Sequence, residues 1–130
     1  MTVGNLADAC ALIVFLATPD PDRTMPKAAS LMRTAEIRVS PIIVWEITRK
    51  AALGKLPSVW APHASLTALL RSQGFALQPL GWDDAEPANR LPPHHKDLVD
   101  RMLIATALRN DLTIITDDAV FAAYGVSTIW

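Results

Sequence analysis

Acidic residues recur in this chain at places where a parallel sheet would gather them. Asp8 follows a short apolar stretch, Glu46 lies in the first turns of a helical segment, and Asp100 near the start of another. Asp117 and Asp118 directly follow the apolar run Leu112–Ile115. These residues are far apart in sequence, so any joint chemistry depends on the fold bringing them together. Carboxylates that converge repel one another, and one or more must take up a proton unless a cation neutralises them. A set of oxygen donors suits a hard cation: Mg²⁺, which keeps several waters and takes only a few carboxylates directly, or Mn²⁺ in its place. Water held on such an ion is a nucleophile at neutral pH, and the ion offsets charge on a phosphoryl oxygen as a phosphodiester is attacked.

Taken singly, each acid also has a plain structural role. Asp8 suits a helix N-cap, Glu46 an exposed helix position, and Asp97 or Asp100 the positive end of a helix dipole. Thr116, Asp117 and Asp118 suit the cap of a last short helix. Basic residues lie close to the acids in sequence: Arg49, Lys50 and Lys55 after Glu46, and His94, His95, Lys96 and Arg101 around Asp100. Such side chains can hold nucleic-acid phosphates; the ordinary alternative is a solvated face, and for Lys55 or Lys96 alone it is the better one. A zinc site on His94-His95 lacks cysteine or histidine partners at zinc-ligand spacing.

The elements that must position these residues alternate in character. A short strand ends near Leu6, and an apolar helix runs from Asp8 to about Ala17. Pro19 to Asp22 reads as a turn or loop, and Lys27 to Ala35 as helix. Ile37 to Ser40 alternates like a strand. Pro41 then suits the first turn of a helix over Ile42 to Leu53, which Gly54 ends. Pro57 opens a further helix with Val59, His63, Leu66 and Leu70 on one face, closed by Gly74. Phe75 to Gln78 reads as a third strand, Trp82 to Asn89 as a short helix and Leu91 to Lys96 as a loop. Leu98 to Arg109 reads as helix, Leu112 to Ile115 as a buried fourth strand and Val126 to Ile129 as a fifth. Strands alternating with helices imply a parallel sheet covered on both faces. Sites in such sheets form at the carboxyl ends of the strands, near the switch in strand order.

The 130 residues, 51% of them hydrophobic, are enough for one ordinary globular domain over residues 1–130. The net charge of −1 excludes a protein that coats nucleic acid through its overall field, so contacts of that kind must come from local patches. Cys10 has no partner for an internal disulfide and reads as a small core residue. The apolar run Ala9–Ala17 is less than half of the roughly 20 residues that a membrane span needs. Asp8 stands before it and no Lys or Arg precedes it, which argues against a signal peptide. A soluble, cytoplasmic protein is expected.

Three segments, VWEITRKAALGKL from Val44, LPPHHKDLVDRMLIATA from Leu91 and ITDDAVFAAYGVSTIW from Ile115, closely resemble PIN-domain toxins of the VapC type. LADACALIVFLA in the first helix region is a looser match. The combination, in order and at the family's spacing, carries the resemblance, which spans most of the chain. It implies a three-layer α/β/α sandwich around a central parallel sheet and Mg²⁺- or Mn²⁺-dependent endoribonuclease activity as the toxin of a toxin–antitoxin pair. The family's acidic site residues map onto Asp8, Glu46, Asp100 and Asp118, with Asp8, Asp100 and Asp118 as metal ligands. Thr116 matches the polar residue of a T-x-D motif and Asp97 an accessory acidic position. Arg49, Lys50 and Arg101 are the candidates for substrate binding. One departure is Gly4-Asn5, poor strand formers where the family has an apolar run into the first Asp.

The resemblance also implies a homodimer and a cognate antitoxin. Such an antitoxin would lay an apolar segment along the helices Ile42–Leu53 and Pro57–Gln73 and turn an Arg or Lys toward the acids. Trp45, Leu53, Val59 and Trp60 exceed what one buried face requires; completing the core or a homodimer contact is the alternative. Other classes fit less well. A phosphoacceptor signalling domain needs paired acids after the first strand and a Lys after the last, which are missing here. An idle binding module has no reason to keep carboxylates that repel each other. A DNA nuclease would use the same metal chemistry, and only the resemblance favours RNA.

Overall fold

The computed structural model describes residues 2–56 and 65–130. Among these, five strands form one parallel sheet: β1 (Gly4–Ala7), β2 (Ile37–Val39), β3 (Ala76–Leu77), β4 (Leu112–Ile115) and β5 (Thr128–Ile129), in the spatial order β3-β2-β1-β4-β5. The helices are α1 (Ala9–Ala17), α2 (Pro21–Thr24), α3 (Pro26–Thr34), α4 (Pro41–Ala52), α5 (Leu66–Ser72), α6 (Trp82–Ala88) and α7 (Leu98–Asn110), followed by a 3-10 turn over Ala119–Tyr124. The architecture is the expected α/β/α sandwich. Strands buried on both faces read as continuous apolar runs, and Leu6, Ala7, Leu112, Ile114 and Ile115 are buried accordingly. The core continues through Leu12, Ile43, Ile47, Leu103, Ile104 and Phe121.

Gly4 and Asn5 do not interrupt the first strand. β1 pairs with β4 along its whole length, Gly4 opposite Leu112 and Ala7 opposite Ile115. A Cβ on Gly4 would lie 3.0 Å from Leu112 Cδ2 and 3.6 Å from Arg38 Nε, so the missing side chain is what lets Leu112 pack across the strand. Pro21 and Asp22, expected in a turn or loop, open the one-turn helix α2 over Pro21–Thr24. Gly54 ends α4 at φ +69°, a conformation that favours glycine. The expected helix start at Pro57, with Val59 and His63 on its face, and the apolar residue Trp60 lie outside the described residues.

Cys10 is exposed rather than in the core. On α1 its neighbours Ala9, Ala11 and Leu12 are buried, which leaves Cys10 on the outer side of the first turn. No helix among the described residues is long and apolar enough to cross a membrane.

Candidate active site

The order β3-β2-β1-β4-β5 puts the reversal of winding between β1 and β4, where the carboxyl ends of both strands open a crevice. Asp8 leaves the end of β1, and its backbone N–H donates to the carbonyl of Ile115 at the end of β4, at 3.2 Å. The Asp8 side chain caps α1: Oδ1 accepts from the Ala11 amide at 2.8 Å. Cap and site roles coexist, because one carboxylate has more acceptor positions than a cap uses. Thr116, buried just past β4, lies by the Asp8 carboxylate and its side chain favours the charged form. Its hydroxyl oxygen also accepts from the Asp118 amide at 3.1 Å.

The other acids repeat the pattern. Asp97 caps α7, its Oδ1 accepting from the Asp100 amide at 3.0 Å. Asp118 caps the 3-10 turn, its Oδ1 accepting from Val120 at 2.9 Å. Asp100, in the first turn of α7, is half-buried. Glu46 on α4 pairs with Lys50 one turn later at 3.2 Å. Asp117 is exposed.

Electrostatics tie these residues into one centre. Burial pushes the Asp8 carboxyl up to about 6; the Thr116 and Ala11 hydrogen bonds oppose this, and the charges of Asp117 and Glu46 add to it. Burial, then the charge of Asp97, pushes Asp100 up to about 7; His95 pulls it back, and Glu46 and Asp8 add to the rise. Asp100 thus feels the charges of Asp97, Glu46 and Asp8, and Asp8 those of Asp117 and Glu46, as converging carboxylates must. Cys10 stands at the rim: its thiol is pushed up to about 11 by partial burial and by the charges of Asp117 and Asp8.

His95 is a member of this centre that its sequence position did not single out. Its Nε2 lies 2.9 Å from Asp100 Oδ2 and 2.9 Å from Asp118 Oδ2. Ligand atoms of these three side chains lie within 4.8 Å of one another, a spacing that could hold a metal ion. The histidine belonged to a run of basic residues, and only the folded loop shows that its ring turns inward against Phe121.

The basic candidates divide. Lys50 stays beside Glu46 at the centre. The Arg49 guanidinium lies over the Trp45 ring, 5.6 Å from its centroid. Arg101 is turned to the protein itself: Nη2 donates to the carbonyls of Ala88 and Leu91, and Nη1 to those of Pro92 and His95, all at 2.9–3.1 Å. That geometry makes Arg101 a clamp on the loop carrying His95. Tyr124 completes the clamp, donating to Pro92 O and accepting from the His95 amide at 2.7 Å. Next to Asp118 an open cleft of about 340 Å³ is lined by Lys27, Thr116, Asp117, Thr128 and Trp130. Lys27, on α3, brings a cation toward the acids from a segment that sequence motifs left unmarked.

The family model of the PIN domain matches residues 6–126. No curated protein sequence matches the chain. Among solved structures, FitAcB from Neisseria gonorrhoeae is similar at 21% identity and a TM-score of 0.70, covering 97% of this chain and 96% of that one. A toxin-antitoxin complex from Klebsiella pneumoniae is similar at 18% identity and a TM-score of 0.65, with 97% and 96% covered. The sarcin-ricin loop cleaving toxin VapC20 of Mycobacterium tuberculosis is similar at 15% identity and a TM-score of 0.67, with 94% and 95% covered. At these identities the likeness is one of fold; the family match spans the chain from β1 to the end of the core, and the chain belongs to the PIN-domain family.

Proposed function

We propose that this protein is a metal-dependent endoribonuclease and the toxin of a toxin–antitoxin pair, working as one PIN domain over residues 1–130. The observation that carries the reading is the pairing of Asp100 with Asp118 at ligand spacing near the β1–β4 switch point, with burial and the nearby acids raising both Asp100 and Asp8. That arrangement is costly for a protein with no cation to place there, and its oxygen donors fit Mg²⁺ or Mn²⁺. Asp8, Asp100 and Asp118 would hold the ion. Bound there, it supplies an activated water and positive charge against a phosphoryl oxygen.

The chain's own residues do the rest. Thr116 holds Asp8 and the Asp118 backbone in register. Glu46, kept in place by Lys50, offers a carboxylate for a proton of the attacking water. Asp97 fixes the first turn of α7 and thereby Asp100. Lys50, Arg49 and Lys27 are the cations left to meet substrate phosphates, while Arg101 serves the loop. RNA is the substrate class because one similar structure is described as a toxin that cleaves the sarcin-ricin loop. A protein antitoxin is the partner because another is described as a toxin-antitoxin complex. A homodimer and a cytoplasmic location belong to the same reading.

The test is incubation of purified, antitoxin-free protein with a panel of RNAs and matched DNAs. Cleavage of RNA with Mg²⁺ or Mn²⁺ that stops in EDTA is expected. Cleavage that persists in EDTA overturns the metal mechanism, and cleavage of DNA alone overturns the substrate.

A further inference from the structure

His95 makes a set of contacts that a phosphate-binding histidine does not need. Its backbone N–H donates to Tyr124, its carbonyl accepts from Arg101, and its ring meets Phe121 edge to face at 5.8 Å. Its two ring nitrogens have different partners. Nδ1 accepts the Asp97 backbone N–H at 3.2 Å, so Nδ1 carries no proton in this geometry. A neutral imidazole then carries its proton on Nε2, the atom 2.9 Å from both Asp100 Oδ2 and Asp118 Oδ2. His95 is therefore a donor to Asp118, with Asp100 Oδ2 close beside the same nitrogen. For Nε2 to bind a metal the proton would have to move to Nδ1, where the Asp97 N–H already points.

The two oxygens that His95 holds are those a cation needs. The other oxygen of Asp118 is engaged by the Val120 amide, and the Asp97 side chain, by capping α7, holds the Asp100 backbone and leaves the Asp100 carboxylate to His95. We infer that His95 is a gate on the metal site: its Nε2–H, bonded to Asp118 and set 2.9 Å from Asp100, stands between the two carboxylates, and a divalent cation must displace it to reach both. The clamp of Arg101 and Tyr124 sets the gate by fixing the loop that carries the ring. The inference rests on the proposed metal-dependent function but concerns only the competition between an imidazole N–H and a cation for two carboxylates.

Mn²⁺ binding measured by calorimetry without RNA, at a single pH, tests it on wild type, His95→Ala and His95→Gln. His95→Ala should bind Mn²⁺ about tenfold more tightly, the factor expected when a hydrogen bond to charged groups no longer has to be broken. His95→Gln, whose amide can donate from near the Nε2 position, should stay close to wild type. Equal or weaker binding by His95→Ala overturns the gate; weaker binding would make His95 a ligand instead. Long-range ¹H–¹⁵N spectra of the full chain give a readout that loop disturbance in the variants cannot mimic. They should show the Nε2–H tautomer before Mg²⁺ is added and altered His95 signals at saturation, and unchanged signals at saturation overturn displacement. If wild type and both variants take up no Mn²⁺, the metal-dependent function itself fails, and the gate with it.

Discussion

The hydroxyl of Thr116, buried just past β4, lies by the carboxylate of Asp8 at the end of β1 and favours its charged form. The same oxygen accepts from the Asp118 amide, so one residue orients two acids. Thr116→Val keeps the shape and removes the hydroxyl that serves both acids. It should lower stability by about 1–2 kcal/mol, the usual result of leaving a buried polar partner unsatisfied, and reduce RNA cleavage more than tenfold. Thr116→Ser should restore most of both. Denaturant melts and cleavage rates check this; full activity in Thr116→Val would refute the orienting role.

Asp100→Asn should abolish cleavage without unfolding the protein, since the amide has nearly the carboxyl's shape but not its charge. In EDTA the variant should melt higher than wild type, because a carboxylate raised by burial and by Asp97 has been removed. Asp97→Asn should be milder, as an amide oxygen still caps the helix. Equal loss in the two variants would place Asp97 among the ligands.

Without metal, stability should fall as pH rises from about 4 to about 7. Asp8 and Asp100 have folded-state values of about 6 and about 7 against ordinary values of 3.8. Between the two values the native state binds more protons than the unfolded one, so raising pH favours unfolding. For Asp8 the displacement corresponds to about 3 kcal/mol at most. Asp8→Asn should flatten the slope, and saturating Mn²⁺ should raise the wild-type melting temperature at pH 7 more than that of Asp8→Asn. Melting curves across pH, with EDTA or Mn²⁺, decide it; equal Mn²⁺ shifts in both proteins would remove Asp8 from the ligand set.

Asp8 and Asp117-Asp118 are legible at strand ends because strand-then-acid is a local pattern, whereas Glu46 and Asp100 lie within α4 and α7 and depend on how those helices pack. Gly4 was harder to read: its lack of a side chain is explained by Leu112, 108 positions away. Cys10 lies outside the core, which the sequence does not show: an apolar run in one helix gives no phase, and the outward side is set by what α1 packs on. His95 and Arg101 make contacts that their charge type does not reveal, for the same kind of reason. Charge type says that both can meet phosphate, but only the loop's path shows Arg101 meeting carbonyls and His95 meeting carboxylates.

Arg101 provides a direct contrast between those two characters. A phosphate-binding arginine replaced by lysine keeps its charge and much of its effect on RNA binding. A clamp does not survive the exchange, because an ammonium cannot direct a planar fork of donors at four carbonyls. Arg101→Lys should therefore lower the melting temperature by several degrees and weaken protection from hydrogen exchange at the His95 amide, which Tyr124 otherwise holds. The salt dependence of RNA binding, measured with a catalytically dead background such as Asp100→Asn, should keep its wild-type slope, since the number of phosphate contacts has not changed. A shallower slope with unchanged melting would return Arg101 to the substrate-binding surface and leave the His95 loop without its proposed anchor.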